Sequence, residues 1–164
     1  MSCARSALLA VAFLFALAPF ARAETDLAIG LLGHGAVGNL ADNGQGHNWD
    51  LGGGGALLVE VPLMKSFHVS PSATFSRMGG VASSETAVVF KYVLPLPTFA
   101  LFLGLGPCAE VRNDYFHPGL VAEAGFWTHL FGSVAFLAQT RFAEYSGDAY
   151  RESFQVGAGL LLFL

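Results

Sequence analysis

The sequence predicts an all-β fold: an eight-stranded antiparallel up-and-down barrel that crosses a membrane. Three observations lead there. Large apolar residues alternate with small or polar ones at a period of two through eight segments of roughly ten residues. The 164 residues are 54% hydrophobic and 12% charged, with 20 Gly, whereas a water-soluble domain is about 25% charged and about 7% Gly. No segment beyond the N-terminal region reaches the roughly 18 consecutive apolar residues that a helical span requires.

The N-terminal region has a separate logic. Arg5 is a positive start, residues 7–17 are an unbroken apolar run, Pro19 breaks it, and Ala21-Arg22-Ala23 supplies small residues around a cleavage point. Residues 1–23 are therefore expected to be a cleaved signal peptide, and residues 24–164 the barrel. Cys108 then stands alone, so no disulfide within the chain can staple it. The 13% aromatic content excludes disorder. With 8 basic against 12 acidic residues, a net charge of −4 and no basic stripe, nucleic acid is not an expected partner.

The eight strands fall at residues 25–37, 51–61, 67–77, 85–93, 98–111, 118–129, 133–142 and 151–164. The connections after the second, fourth and sixth are short or stiffened by proline. Those after the first, third, fifth and seventh are expected to be longer and to carry most of the Asn, Asp and Gly. The longest is 38–50. This alternation places tight turns at one end of a barrel and loops at the other. Gly52, Gly53, Gly54 and Gly55 interrupt the second strand, which indicates a bulge or close backbone packing, and no helix follows to make a phosphate loop.

Separating each strand into its two faces decides which way the barrel is turned. In the fourth, Thr86, Val88, Phe90 and Tyr92 share one face, and Glu85, Ala87, Val89 and Lys91 the other. In the seventh, Val134, Phe136, Ala138, Thr140 and Phe142 oppose Ser133, Ala135, Leu137, Gln139 and Arg141. The eighth sets Phe154, Val156, Ala158, Leu160 and Leu162 against Ser153, Gln155, Gly157 and Gly159. There are too few charges to coat a water-facing exterior. The interior of eight strands is only wide enough to be filled by side chains. The large apolar face is thus expected outside, against acyl chains, and the small or ionic face inside. Two aromatic belts are expected, with Phe67, Tyr92, Phe99 and Phe131 near the tight-turn end and Trp49, Phe75, Tyr115, Tyr145 and Tyr150 near the loop end.

The inward face carries the candidate site, a lumen charge network of Glu60, Lys91, Glu110, Glu123 and Arg141. Isolated charges in so narrow a space are costly, so they must pair. A Glu60–Lys91 pair is expected toward the tight turns, and a separate cluster of Glu110 and Glu123 around Arg141, with Glu123 opposite Gln139 and Arg141 on the diagonal. Such a network can plug the barrel or gate a narrow, porin-like pore.

A signal peptide, eight strands and interior Glu60, Lys91, Glu123 and Arg141 on the second, fourth, sixth and seventh strands resemble the membrane domain of OmpA and similar small outer-membrane barrels. The resemblance implies a Gram-negative outer-membrane protein in contact with outer-membrane lipids, inserted by the outer-membrane insertion machinery, monomeric, and with a non-catalytic role in envelope integrity or surface contact. No periplasmic domain is expected after the eighth strand, and the chain ends Phe163-Leu164 where such proteins usually end on an aromatic residue.

Two alternatives come from other classes. Some outer-membrane barrels deacylate lipid A through a His-x-Ser-Asn element. The stretch from Arg141 to Gly147 is similar in its Arg and Tyr145-Ser146, but Glu144 stands where the His belongs and Gly147 where the Asn does. His68-Val69-Ser70 is a second His-x-Ser, placed at the wrong end for outer-leaflet lipid. The other alternative is a conduit for small hydrophobic molecules lined by Phe102 and Leu137. No cofactor is expected, and His34, His47, His68, His117, His129 and Cys108 are too scattered for a metal site.

Overall fold

The computed structural model describes residues 27–39, 49–146 and 151–164. The expected signal peptide, residues 40–48 of the long connection, Gly147 and Tyr150 lie outside the described residues. Eight strands are present: β1 (Ala28–Asn39), β2 (Trp49–Met64), β3 (Phe67–Met78), β4 (Val81–Pro95), β5 (Ala100–Arg112), β6 (Tyr115–Phe131), β7 (Val134–Tyr145) and β8 (Arg151–Phe163). Each pairs antiparallel with the next, and β1 pairs with β8, so the sheet closes into a barrel. Closure removes both sheet edges, the condition for a sheet to sit in hydrocarbon, where an unpaired backbone N–H or C=O costs several kcal/mol. The strands are 12 to 17 residues long, enough for a tilted crossing, which takes about 9–11.

The two faces are partitioned as the alternation requires. Leu51 is 82% exposed, and Leu31, Phe90, Leu103, Leu105, Leu120 and Leu160 also stand out from the wall, while Lys91 is 1% exposed in the interior. A wall of leucine and phenylalanine around a core containing lysine, arginine and glutamate is the inverse of a water-soluble protein. Phe67, Tyr92, Phe99 and Phe131 are exposed near the tight-turn end, and Trp49, Phe75 and Tyr115 near the other. Tyr145 departs from this expectation. It points into the lumen, is 3% exposed, and donates to Glu85. The seventh strand runs three residues past its expected end at Phe142, which keeps the alternation going and carries Tyr145 to the inner face.

The connections differ from expectation in two places. The ones after β3 and β5 are not longer loops but two-residue turns, Gly79-Gly80 and Asn113-Asp114. All four residues have positive φ, at 54°, 82°, 48° and 66°, the primed hairpin geometry that matches strand twist. The residues on either side of Gly79-Gly80 zip into the ladder instead, with the Ser76 and Ser83 hydroxyls 3.0 Å apart across it. The glycine run of β2 keeps an unbroken register with both neighbours, so it is a site of close packing rather than a bulge. A Cβ on Gly54 would lie 1.8 Å from the Phe75 carbonyl oxygen. The irregularities lie lower, between Pro62 and Met64 and between His129 and Phe131.

An arginine at Leu105, mid-strand on the exposed wall, should cost about 2–4 kcal/mol of folding free energy in lipid vesicles, the midplane penalty for a cation on such a wall. Denaturant titration into vesicles measures it; a neutral result would place that position in water.

Candidate functional site

The lumen is filled in layers, and the filling follows from the register. Inward glycines make room for the large side chains beside them. A Cβ on Gly104 would meet Lys91 Cγ at 2.8 Å, and one on Gly125 would meet Phe102 Cζ at 2.7 Å. The glycine content of the strands is thus the complement of the few large groups that cross the axis.

Lys91 donates to Glu60 Oε1 at 2.5 Å and pairs with Glu123 Oε2 at 3.3 Å. Glu123 Oε1 accepts from Arg141 at 2.8 Å. The same guanidinium also contacts Glu85, whose second oxygen accepts from the Tyr145 hydroxyl. Ser70 donates to Glu60 at 3.0 Å, and Arg141 reaches the Ser72 hydroxyl at 3.4 Å. What was expected as two clusters is one continuous chain, Glu60–Lys91–Glu123–Arg141–Glu85, alternating in sign, with Glu123 as its hinge. Every charge has an opposite neighbour, which is what lets ionised groups persist out of water.

Three details depart from expectation. Glu123 faces Arg141 directly and Gly125 faces Gln139, because β6 runs on to Phe131 and the turn falls at Gly132-Ser133, past the expected strand end at residue 129. Glu85 is a partner of Arg141 in the role expected of Glu110. Glu110 is buried across from Glu85 in the β4–β5 register. Glu85 shares the inward face with Lys91 and was identifiable from that alternation, but it stood at the edge of a strand that actually begins at Val81.

Toward the tight turns the filling becomes apolar. Ala28, Pro62, Val93, Ala100, Trp127, Ala135 and Leu161, one from each strand except β3, are buried there, and β3 contributes His68. Trp127 crosses the lumen, stacking on Phe102 at 5.5 Å and lying 5.9 Å from the His68 ring. Phe102 and Leu137 face inward as expected, but they pack into this cluster with Leu32 and Leu58. Lys91 Nζ sits 4.6 Å above the Phe102 ring, joining the ionic chain to the apolar layer.

A small polar cavity lies beside Arg141, lined by His34, Thr74, Gln139 and Gln155. His34 Nε2, Thr74 Oγ1, Gln139 Oε1 and Arg141 Nε have no hydrogen-bond partner among the described residues. The candidate hydrolase residues are engaged elsewhere. Ser146 Oγ donates to the Pro118 carbonyl at 2.9 Å, and Ser70 bonds a carboxylate, not the His68 imidazole. Among the described residues no group of His, Cys, Asp and Glu is arranged to hold a metal.

Replacing Arg141 with Met should destabilise the folded barrel by about 3–5 kcal/mol, since Glu85 and Glu123 would lose their cation in a buried site. Arg77→Met, at an exposed guanidinium bonded to the Gly80 carbonyl, should cost distinctly less. Urea unfolding in vesicles compares the two; equal losses would contradict the network as drawn.

No family model and no curated protein matches the sequence. Solved structures do match. Neisserial surface protein A superposes with a TM-score of 0.63 at 12% identity, over 84% of this chain and 97% of that one. The outer membrane protein OprG of Pseudomonas aeruginosa gives 0.60 at 12% identity, covering 85% and 96%. The N-terminal β-barrel domain of OprF from the same organism gives 0.57 at 11%, covering 85% and 100%. The chain therefore has the fold of the small eight-stranded outer-membrane β-barrels.

Proposed function

We propose that this protein is a non-catalytic, integral outer-membrane barrel whose lumen is closed, and that it serves the envelope as a structural element. The observation that carries this reading is the filled lumen. A continuous Glu60–Lys91–Glu123–Arg141–Glu85 chain crosses the interior, and an apolar layer lies toward the tight turns. An ion would have to displace both. Placement in the outer membrane is supported by the inverted wall, the expected signal peptide, and the fold shared with Neisserial surface protein A and OprG. The partners are then outer-membrane lipids around the wall and the insertion machinery during assembly, with a single chain as the functional unit.

Two of the four loop-side connections, β3–β4 and β5–β6, are two-residue turns; they offer little for a partner to grip, which supports the structural role over surface contact. The hydrolase alternative needs a Ser–His pair, and neither Ser70 nor Ser146 bonds an imidazole. The conduit alternative needs an open lumen beside Phe102 and Leu137; both pack into the apolar cluster, and the groove that Phe102 borders is lined mainly by exposed wall residues such as Leu101, Leu103 and Phe126.

The expressed chain should fractionate with the outer membrane and migrate differently on gels when unheated, as a closed barrel does. It should leave the acyl chains of lipid A unchanged by mass spectrometry and show no steady conductance in planar bilayers. Loss of an acyl chain on expression would replace the structural reading with the enzymatic one, and steady wild-type conductance would replace it with a pore.

A further inference from the structure

The two fillings of the lumen are not equivalent barriers. The ionic chain is polar throughout, and beside it four buried polar atoms, on His34, Thr74, Gln139 and Arg141, converge on one cavity without a partner among the described residues. Buried polar atoms of this kind are ordinarily satisfied by water. His34 is only partly buried and lies on β1 five residues from its loop-side end. Below this level the inward side chains change character. Leu58, Phe102, Trp127, Leu137 and Leu161 form a buried apolar cluster, with the His68 imidazole at its edge, 5.9 Å from the Trp127 ring. A narrow apolar constriction excludes ions by dewetting, without needing a charge to close it.

We propose that a single ordered water is bound at the His34–Thr74–Gln139–Arg141 cavity, whose volume of about 10 Å³ holds no more, and that the barrier to ions is the apolar layer beneath, not the ion pairs. This rests on the closed-lumen reading and assigns the closure to particular residues. Its consequence is that opening the salt bridges alone leaves the barrel shut. Lys91 does not act as a latch; it is the polar cap of the seal, held over the Phe102 ring by Glu60 and Glu123.

Single-channel recording on the full chain in planar bilayers separates the two barriers. In Phe102→Ser/Trp127→Ser the layer is made polar and smaller. The expected result is discrete openings, which the wild type does not show. In Glu60→Gln/Lys91→Met the pair is removed while Glu123 keeps Arg141, and conductance should stay at the wild-type level. Openings in the pair variant, or none in a seal variant that still shows heat-modifiable migration, would overturn the proposal. A wild-type chain that already conducts would instead overturn the closed-lumen reading.

A second measurement needs no disruption of the lumen. In a Trp49→Phe background Trp127 is the only tryptophan of the chain. Its emission should be blue-shifted and unquenched by iodide in folded vesicle preparations. Quenching comparable to that of an exposed indole would show the layer to be wet and refute the seal.

Discussion

The structure depends on one constraint: every backbone N–H and C=O in the wall must find its partner within the sheet, because the surroundings offer none. A closed ladder of eight strands meets it, and the side chains are sorted by the closure. A pleated strand sends alternate residues to opposite faces, so a wall that must be apolar outside can be polar only inside. Leu103 and Leu105 stand out from β5, and Phe102, Gly104 and Cys108 stand inward between and beside them. The same alternation that makes the wall compatible with acyl chains delivers Glu60, Lys91, Glu123 and Arg141 to a common axis.

Once the ionic groups are inside, their energetics are those of buried charge. Each ion gives up several kcal/mol of hydration, and only close opposite neighbours offset it. A linear alternation of charges, each ion touching the next, meets that demand in a space too narrow for hydrated ions to share. The glycines make it possible. Gly104 leaves room for the Lys91 stem, and Gly125 for the Phe102 ring on which the ammonium rests. Composition, packing and electrostatics therefore express one geometric fact, the small radius of an eight-stranded barrel.

Much of this was legible in the sequence, for a physical reason. A period of two survives errors in strand ends, so the partition of Phe90 from Lys91 or of Phe142 from Arg141 could be read without knowing any boundary. Register is less forgiving. Counting from a sixth strand that ends at residue 129 sets Glu123 opposite Gln139, whereas β6 runs to Phe131 and turns at Gly132-Ser133, which makes Arg141 the partner. Strand ends hid two members of the network. Glu85 and Tyr145 lie just where polar residues made the strands look finished, and the ladder continued past both. The Gly79-Gly80 and Asn113-Asp114 turns were obscured in the same way, since serines and arginines that pair across a hairpin read as loop when taken singly.

The inverted partition is tested most directly along β5. In a Cys108→Ser background, spin labels at positions 101 to 105 in bilayers can be scored for collision with oxygen, which concentrates in hydrocarbon, and with a water-soluble nickel complex. The account predicts high oxygen and low nickel accessibility at Leu101, Leu103 and Leu105, with Phe102 low to both. Nickel reaching the leucines while Phe102 alone collides with oxygen would contradict it.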